Sequence, residues 1–170
     1  MMFLGFMQMY DLAFPDDVPH VTNLGCNSEV VHLVNQRDHS WRTMRQDPTD
    51  NWKALQPSIA ILRKVCPEAA DWAEDRWSTG NLVFEAANSD NIAHYDFISK
   101  KLTLNWYMRD CTHGENAVTL AHEFRHSRQQ WTRPARAAIY ILIFQKVREE
   151  IVEDEAHDFE RQVHIAIYEK

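Results

Sequence analysis

Two histidines four residues apart, with a glutamate directly after the first, make His122-Glu123-Phe124-Arg125-His126 the part of this chain best equipped for chemistry. On an α-helix, residues four apart lie on one face. Both imidazoles can therefore grip one cation while Glu123 reaches the water that the cation holds. Neutral imidazole nitrogen suits Zn²⁺, and three protein ligands leave the fourth position to water, whose pKa the metal lowers to about 7. A carboxylate beside that water can take its proton and hand it to a leaving amine. The spacing points to hydrolysis by a metal-activated water, with His122 and His126 as ligands and Glu123 as general base.

Such chemistry needs a helix, and the flanking residues supply one. Between Gly114 and Pro134 there is no helix breaker, and Ala117, Leu120, Ala121 and Phe124 recur at helical spacing to form a buried side. Val118, His122 and His126 make the adjoining row, at the edge of the core. Thr132, Arg133 and Pro134 predict an end near Trp131.

A third ligand has to come from elsewhere. Beyond Pro134 there is no Gly and no further Pro, and Val152, Ala156, Phe159, Val163 and Ala166 follow one another at spacings of four and three, an amphipathic helical stripe. Glu149, Glu150, Glu153, Asp154, Glu155 and Asp158 crowd its start. Taken alone, such a run is a solvated helix face; beside the histidine helix, one member becomes a ligand. On a helical wheel Glu155 lies nearer the apolar stripe, whereas Ala156, three residues after Glu153, would let the two helices approach closely. Glu153 and Glu155 both stay open on these grounds, with Glu149 and Asp158 further off.

The HExxH pentad followed by Glu153-Asp154-Glu155-Ala156-His157 resembles the gluzincin group of zincin metallopeptidases, whose third ligand is a glutamate on a later helix. In the most similar subset that glutamate precedes a small residue by three positions, as Glu153 precedes Ala156. The resemblance covers about the last third of the chain. It implies Zn²⁺ held by His122, His126 and Glu153, a peptide or protein substrate, and an α+β, zincin-like fold. That fold is mostly helical, with a small antiparallel or mixed sheet beside the HExxH helix. The chain departs from the pattern at His157, which stands where the family usually has an acidic residue four after the ligand. His157 and Tyr107 are the candidate donors to the oxyanion. Residues 93–97 and 101–105 resemble the strand pair that small zincins set beside the active-site helix, and an edge strand, 101–107 or 81–87, would pair with an extended peptide.

Elsewhere the pattern is plainer. Ser28 caps a helix expected to run towards residue 44, residues 47–50 read as a turn, and a helix is expected over 57–77, broken at Pro67 and ended by Gly80. Three β-prone runs, 81–87, 92–98 and 101–107, predict a small antiparallel sheet of about three strands. With 170 residues and 45% hydrophobic content, including six Trp and eight Phe, the chain can bury one core as a single domain spanning 1–170, its first twenty residues irregular around Pro15 and Pro19.

A net charge of −7 without clustered Lys and Arg argues against a nucleic-acid surface. Arg125, Arg128, Arg133 and Arg136 read as a solvated face. Cys26, Cys66 and Cys111, widely spaced and without a CxxC, point to a reducing compartment. The apolar start lacks a basic flank and meets Gln8 and Asp11, and residues 137–144 fall far short of the roughly 20 needed to span a bilayer. A soluble cytoplasmic protein without a membrane partner is expected; oligomeric state is not readable. Two functions of different class follow: a zinc peptidase, or a catalytically silent zincin-like module that binds metal or a partner.

Overall fold

The computed structural model describes residues 20–22, 31–37, 47–85, 92–96, 98–105, 108, 111–131 and 145–169. Tyr107, Cys26, the first nineteen residues and the apolar segment 137–144 lie outside them. The fold is mixed α+β: helices with one small three-stranded sheet. No described helix is long and apolar enough to cross a membrane.

Helix α1 (Pro48–Val65) starts nine residues earlier than the expected 57. The segment read as a turn is its N-terminus. The Asp47 side chain accepts from the Thr49 N–H at 2.8 Å, and Pro48 occupies the first turn, where a missing N–H costs nothing. Pro57 therefore sits inside the helix rather than opening it. Pro67 does break the run: Cys66 ends α1 through its N–H to Leu62 and precedes α2 (Pro67–Ser78). Gly80, at φ 71°, takes the left-handed conformation that lets Asn81 bond back to Arg76 and close α2.

Strands β1 (Leu82–Glu85), β2 (Ala93–Asp96) and β3 (Lys101–Asn105) fall within the three β-prone runs and lie in the order β1-β3-β2. The sheet is mixed, one of the two arrangements expected beside the HExxH helix, where the β-prone runs alone suggested an antiparallel one. β3 pairs antiparallel with β2 but parallel with β1. The β2–β3 turn is held by Asp96, whose carboxylate accepts from the N–H groups of Ile98 and Ser99, with Lys100 in the left-handed region.

Helix α3 (His113–Trp131) carries the pentad. A capping box opens it: Thr112 accepts from the Glu115 N–H through its hydroxyl, and the Glu115 carboxylate takes the Thr112 N–H. Its next unpaired donors are met from an unexpected quarter. The helix predicted from Ser28 is, in the described part, one 3₁₀ turn (Val31–Leu33), after which the carbonyls of Val34 and Gln36 accept from Gly114 and His113. Satisfying the end of α3 outweighs local helix propensity there.

Helix α4 (Gln145–Tyr168) packs antiparallel on α3: Thr112 meets Tyr168, His122 meets Glu160, and Gln129 meets Val152. Gly114 lets the two helices close, because a Cβ there would collide with the Tyr168 hydroxyl and come within 2.8 Å of Val34. Ala156, Phe159, Val163 and Ala166 are buried as the stripe predicts, and the last three join Leu55, Ile59, Leu62, Leu102, Leu104, Leu120 and Phe124 in one core. Burying a ring such as that of Phe159 contributes about 1.5–3 kcal/mol. That packing holds the outer faces of α3 and α4 edge to edge.

Candidate metal centre

One turn of α3 sets the rings of His122 and His126 with centroids 4.7 Å apart and their Nε2 atoms 3.0 Å apart. From α4, Glu153 brings Oε2 to 3.5 Å from the Nε2 of His122 and Oε1 to 3.5 Å from that of His126. A tetrahedral ion with bonds of about 2.0–2.1 Å holds its ligand atoms about 3.3 Å apart. The two nitrogens stand 3.0 Å apart and each faces a different oxygen of Glu153 at 3.5 Å, so the carboxylate straddles the pair; taking one ligand atom from each residue, the three lie within 4.8 Å of one another. The donor set, two imidazoles and a carboxylate, is one that zinc accepts.

Glu155, the other candidate, points elsewhere. Its carboxylate pairs with Arg125 and accepts from the Gln129 amide at 3.0 Å. Its place nearer the apolar stripe goes to burying that ion pair. Arg125 is accordingly buried, which corrects its assignment to a solvated face.

The outer nitrogens of both histidines are also held. His122 Nδ1 lies 3.0 Å from Oε2 of Glu160, and His126 Nδ1 lies 3.0 Å from Oε1 of Gln129. An acceptor on Nδ1–H leaves the Nε2 lone pair facing inward, the state a metal ligand requires. Sequence reasoning missed both partners. A signal existed: Gln129 follows His126 by three residues and Glu160 follows Glu153 by seven, so each shares a helix face with a ligand.

Glu123 is buried under the strand beside it. It is 5% exposed, accepts the backbone N–H of Tyr95, and has an Oε2 atom with no hydrogen-bond partner. Burial raises its pKa to about 7, against the opposing pull of His122 and the Tyr95 N–H. The Tyr95 N–H is available because Asn105 bonds to Ile92, so that alternation along the antiparallel pair turns the backbone groups of Ala93 and Tyr95 away from β3. The sheet edge beside the pentad is thus β2. The expected groove strand at 101–107 is instead the central strand, and β1 is the far edge.

The charges of the histidines diverge. Burial acts to lower the pKa of His122, but the hydrogen bond to Glu160 and the carboxylates of Glu123, Glu160 and Glu153 prevail and raise it. His126 is lowered, by burial first. Glu160 is held below the ordinary carboxylate range by its bonds to His122 and His157.

His157 is largely exposed, donating from Nδ1 to the same Glu160 oxygen at 2.9 Å, with its ring 4.9 Å from that of His122. It is placed with the outer nitrogen of His122, not with the facing Nε2 atoms where an oxyanion would form. His122, His157 and Glu160 also gather three ligand-type atoms; in them one carboxylate oxygen already serves both rings. A cavity of about 410 Å³ lies on the other side of α3, lined by Trp72, Arg76, Tyr95, Phe124 and Arg128, and none of His122, His126 or Glu153 borders it. Comparison with protein-family models, with curated proteins and with solved structures gives no match for this chain.

Proposed function

We propose that this chain is a zinc-dependent peptidase in which His122, His126 and Glu153 hold the metal and Glu123 is the general base. The observation that carries the reading is the meeting of two Nε2 atoms and a carboxylate within reach of one ion, next to a buried glutamate with an unpartnered oxygen. Zinc bound there would supply Lewis acidity and a water acidified to about pKa 7.

The chain's own groups do the rest. Oε2 of Glu123 takes the proton of the attacking water and delivers it to the leaving amine, a role suited to a carboxylate whose proton affinity burial has raised towards neutrality. The Tyr95 N–H holds the other side of that carboxylate in place. An extended peptide lies along β2, whose Ala93 and Tyr95 carbonyls face outward, and this strand addition sets the scissile bond across the metal ligands. The donor to the oxyanion is left unassigned, since His157 stands with the outer nitrogen of His122 and Tyr107 is outside the described residues.

Zinc content and peptide-library cleavage, measured on the wild type and Glu123→Gln, test the proposal. One equivalent of zinc in both proteins, with cleavage in the wild type alone, is the expected result. Zinc without cleavage in either would point to the silent metal-binding module, and no stoichiometric zinc would reject both.

A further inference from the structure

Gln129 is 1% exposed, on the last described turn of α3, and its carboxamide touches both helices. Its Nε2 lies 2.8 Å from the main-chain carbonyl of Val152 and 3.0 Å from Oε2 of Glu155, while its Oε1 lies 3.0 Å from Nδ1 of His126. A carbonyl and an ionised carboxylate can only accept. The amide nitrogen must therefore face α4, and the amide oxygen must face His126. An amide oxygen also only accepts, so Nδ1 of His126 has to carry a proton, and in the neutral ring Nε2 then presents its lone pair. Turning the amide over would set its oxygen against two other acceptors.

A backbone carbonyl on α4 thus decides the tautomer of a ring on α3. The same carbonyl belongs to Val152, the neighbour of Glu153, so the side chain that orients the ring also ties down the segment carrying the carboxylate the ring must meet. We infer that Gln129 is a positioning residue that fixes the His126 tautomer and docks the Glu153 segment against it, so that two of the three ligands are set by one carboxamide. This inference extends the zinc-peptidase reading, but its first consequence is visible without metal.

Substitutions at Gln129 separate the contacts of its amide oxygen and its amide nitrogen. Leucine keeps much of the volume and removes both. Glutamate still accepts from Nδ1–H, but has no donor for the Val152 carbonyl and sets a second negative charge beside Glu155. Imidazole ¹⁵N spectra of the metal-free protein report the tautomer directly, and competition with a chromophoric chelator reports zinc affinity. The wild type is expected to show His126 as the Nδ1–H form. Gln129→Leu should shift it towards Nε2–H and weaken zinc about 10- to 100-fold, the range for loss of a partner that orients a ligand. Gln129→Glu should keep the Nδ1–H form yet still bind zinc more weakly. The glutamate variant carries the test if the leucine variant does not fold.

An Nε2–H ring in the wild type, or a leucine variant matching the wild type in both tautomer and zinc affinity, would overturn the inference. So would a glutamate variant with wild-type zinc affinity. A wild type that shows the Nδ1–H form, shifted by Gln129→Leu, but takes up no zinc would support the role of Gln129 and count against the peptidase reading alone.

Discussion

Glu123 and Glu160 are both carboxylates beside His122, yet the two regions that hold them pull their protons in opposite directions. The pocket beneath β2 is buried: Glu123 has a single backbone donor, an orphaned oxygen and a pKa raised to about 7. The seam between α3 and α4 is open to solvent at Glu160, which accepts from two imidazoles and is held below its ordinary value. Charge is costly at Glu123 and welcome at Glu160, which would suit a proton acceptor and a ring-orienting carboxylate respectively. Opposed environments of this kind are how one site separates a base from a structural acid. Under the proposed peptidase reading, Glu123 would be the base and Glu160 the carboxylate that orients a ligand ring.

The largest effect that would break this comparison is on catalysis. Glu123→Gln should lower peptide cleavage by about 10²- to 10⁴-fold, the usual contribution of a positioned general base, with zinc content unchanged. A variant retaining most of the activity would show that the buried carboxylate is not the base. Next comes stability. Folded, metal-free protein binds the Glu123 proton more tightly than the unfolded chain does, so between about pH 4.5 and 7 the native state carries the extra proton and stability falls as pH rises. The shift corresponds to roughly 3 kcal/mol across that window. Denaturant unfolding of the metal-free wild type should show that decline, and Glu123→Gln should flatten it; parallel curves for the two proteins would mean that the pocket is wetter than its burial implies.

What the sequence made legible follows from the range of the interactions involved. The pentad helix and the late amphipathic helix are written in local periodicity, and with them His122, Glu123, His126 and the acidic cluster containing Glu153. The spacing to Ala156 and the family resemblance favoured Glu153 while the helical wheel kept Glu155 open; that Arg125 pairs with Glu155 is a contact thirty residues apart, beyond the reach of local pattern. The β-prone runs marked all three strands, but alternation within a strand says nothing of its neighbours. The parallel β1–β3 pair, and with it the identity of the edge at the pentad, was therefore invisible. Pro57 misled because a first-turn proline and a tolerated interior proline look alike in sequence, while the true start at Asp47-Pro48 resembled a turn. The capping box Thr112-His113-Gly114-Glu115 was readable and went unread.

Smaller effects sharpen the Glu160 side of the comparison. Glu160→Gln removes the negative charge from the outer nitrogen of His122 while keeping an acceptor there, so zinc affinity should fall by about tenfold, the low end for a second-layer partner. His157 supplies the last and smallest test, because its hydrogen bond goes to the shared Glu160 oxygen, its contact with His122 is only ring against ring, and its side chain is 62% exposed. An exposed pair of this sort on one helix contributes a few tenths of a kcal/mol. His157→Ala should therefore leave Glu160 bonded to His122 and change zinc affinity by less than about threefold. The two variants must be measured together, by the same chelator competition. If His157→Ala weakened zinc as much as Glu160→Gln, the ion would be drawing on His157 itself, and weight would move from the His122, His126 and Glu153 group to the His122, His157 and Glu160 group. In that arrangement Glu160 would be a ligand rather than the carboxylate that orients one, and the contrast with Glu123 would have to be redrawn as base against ligand.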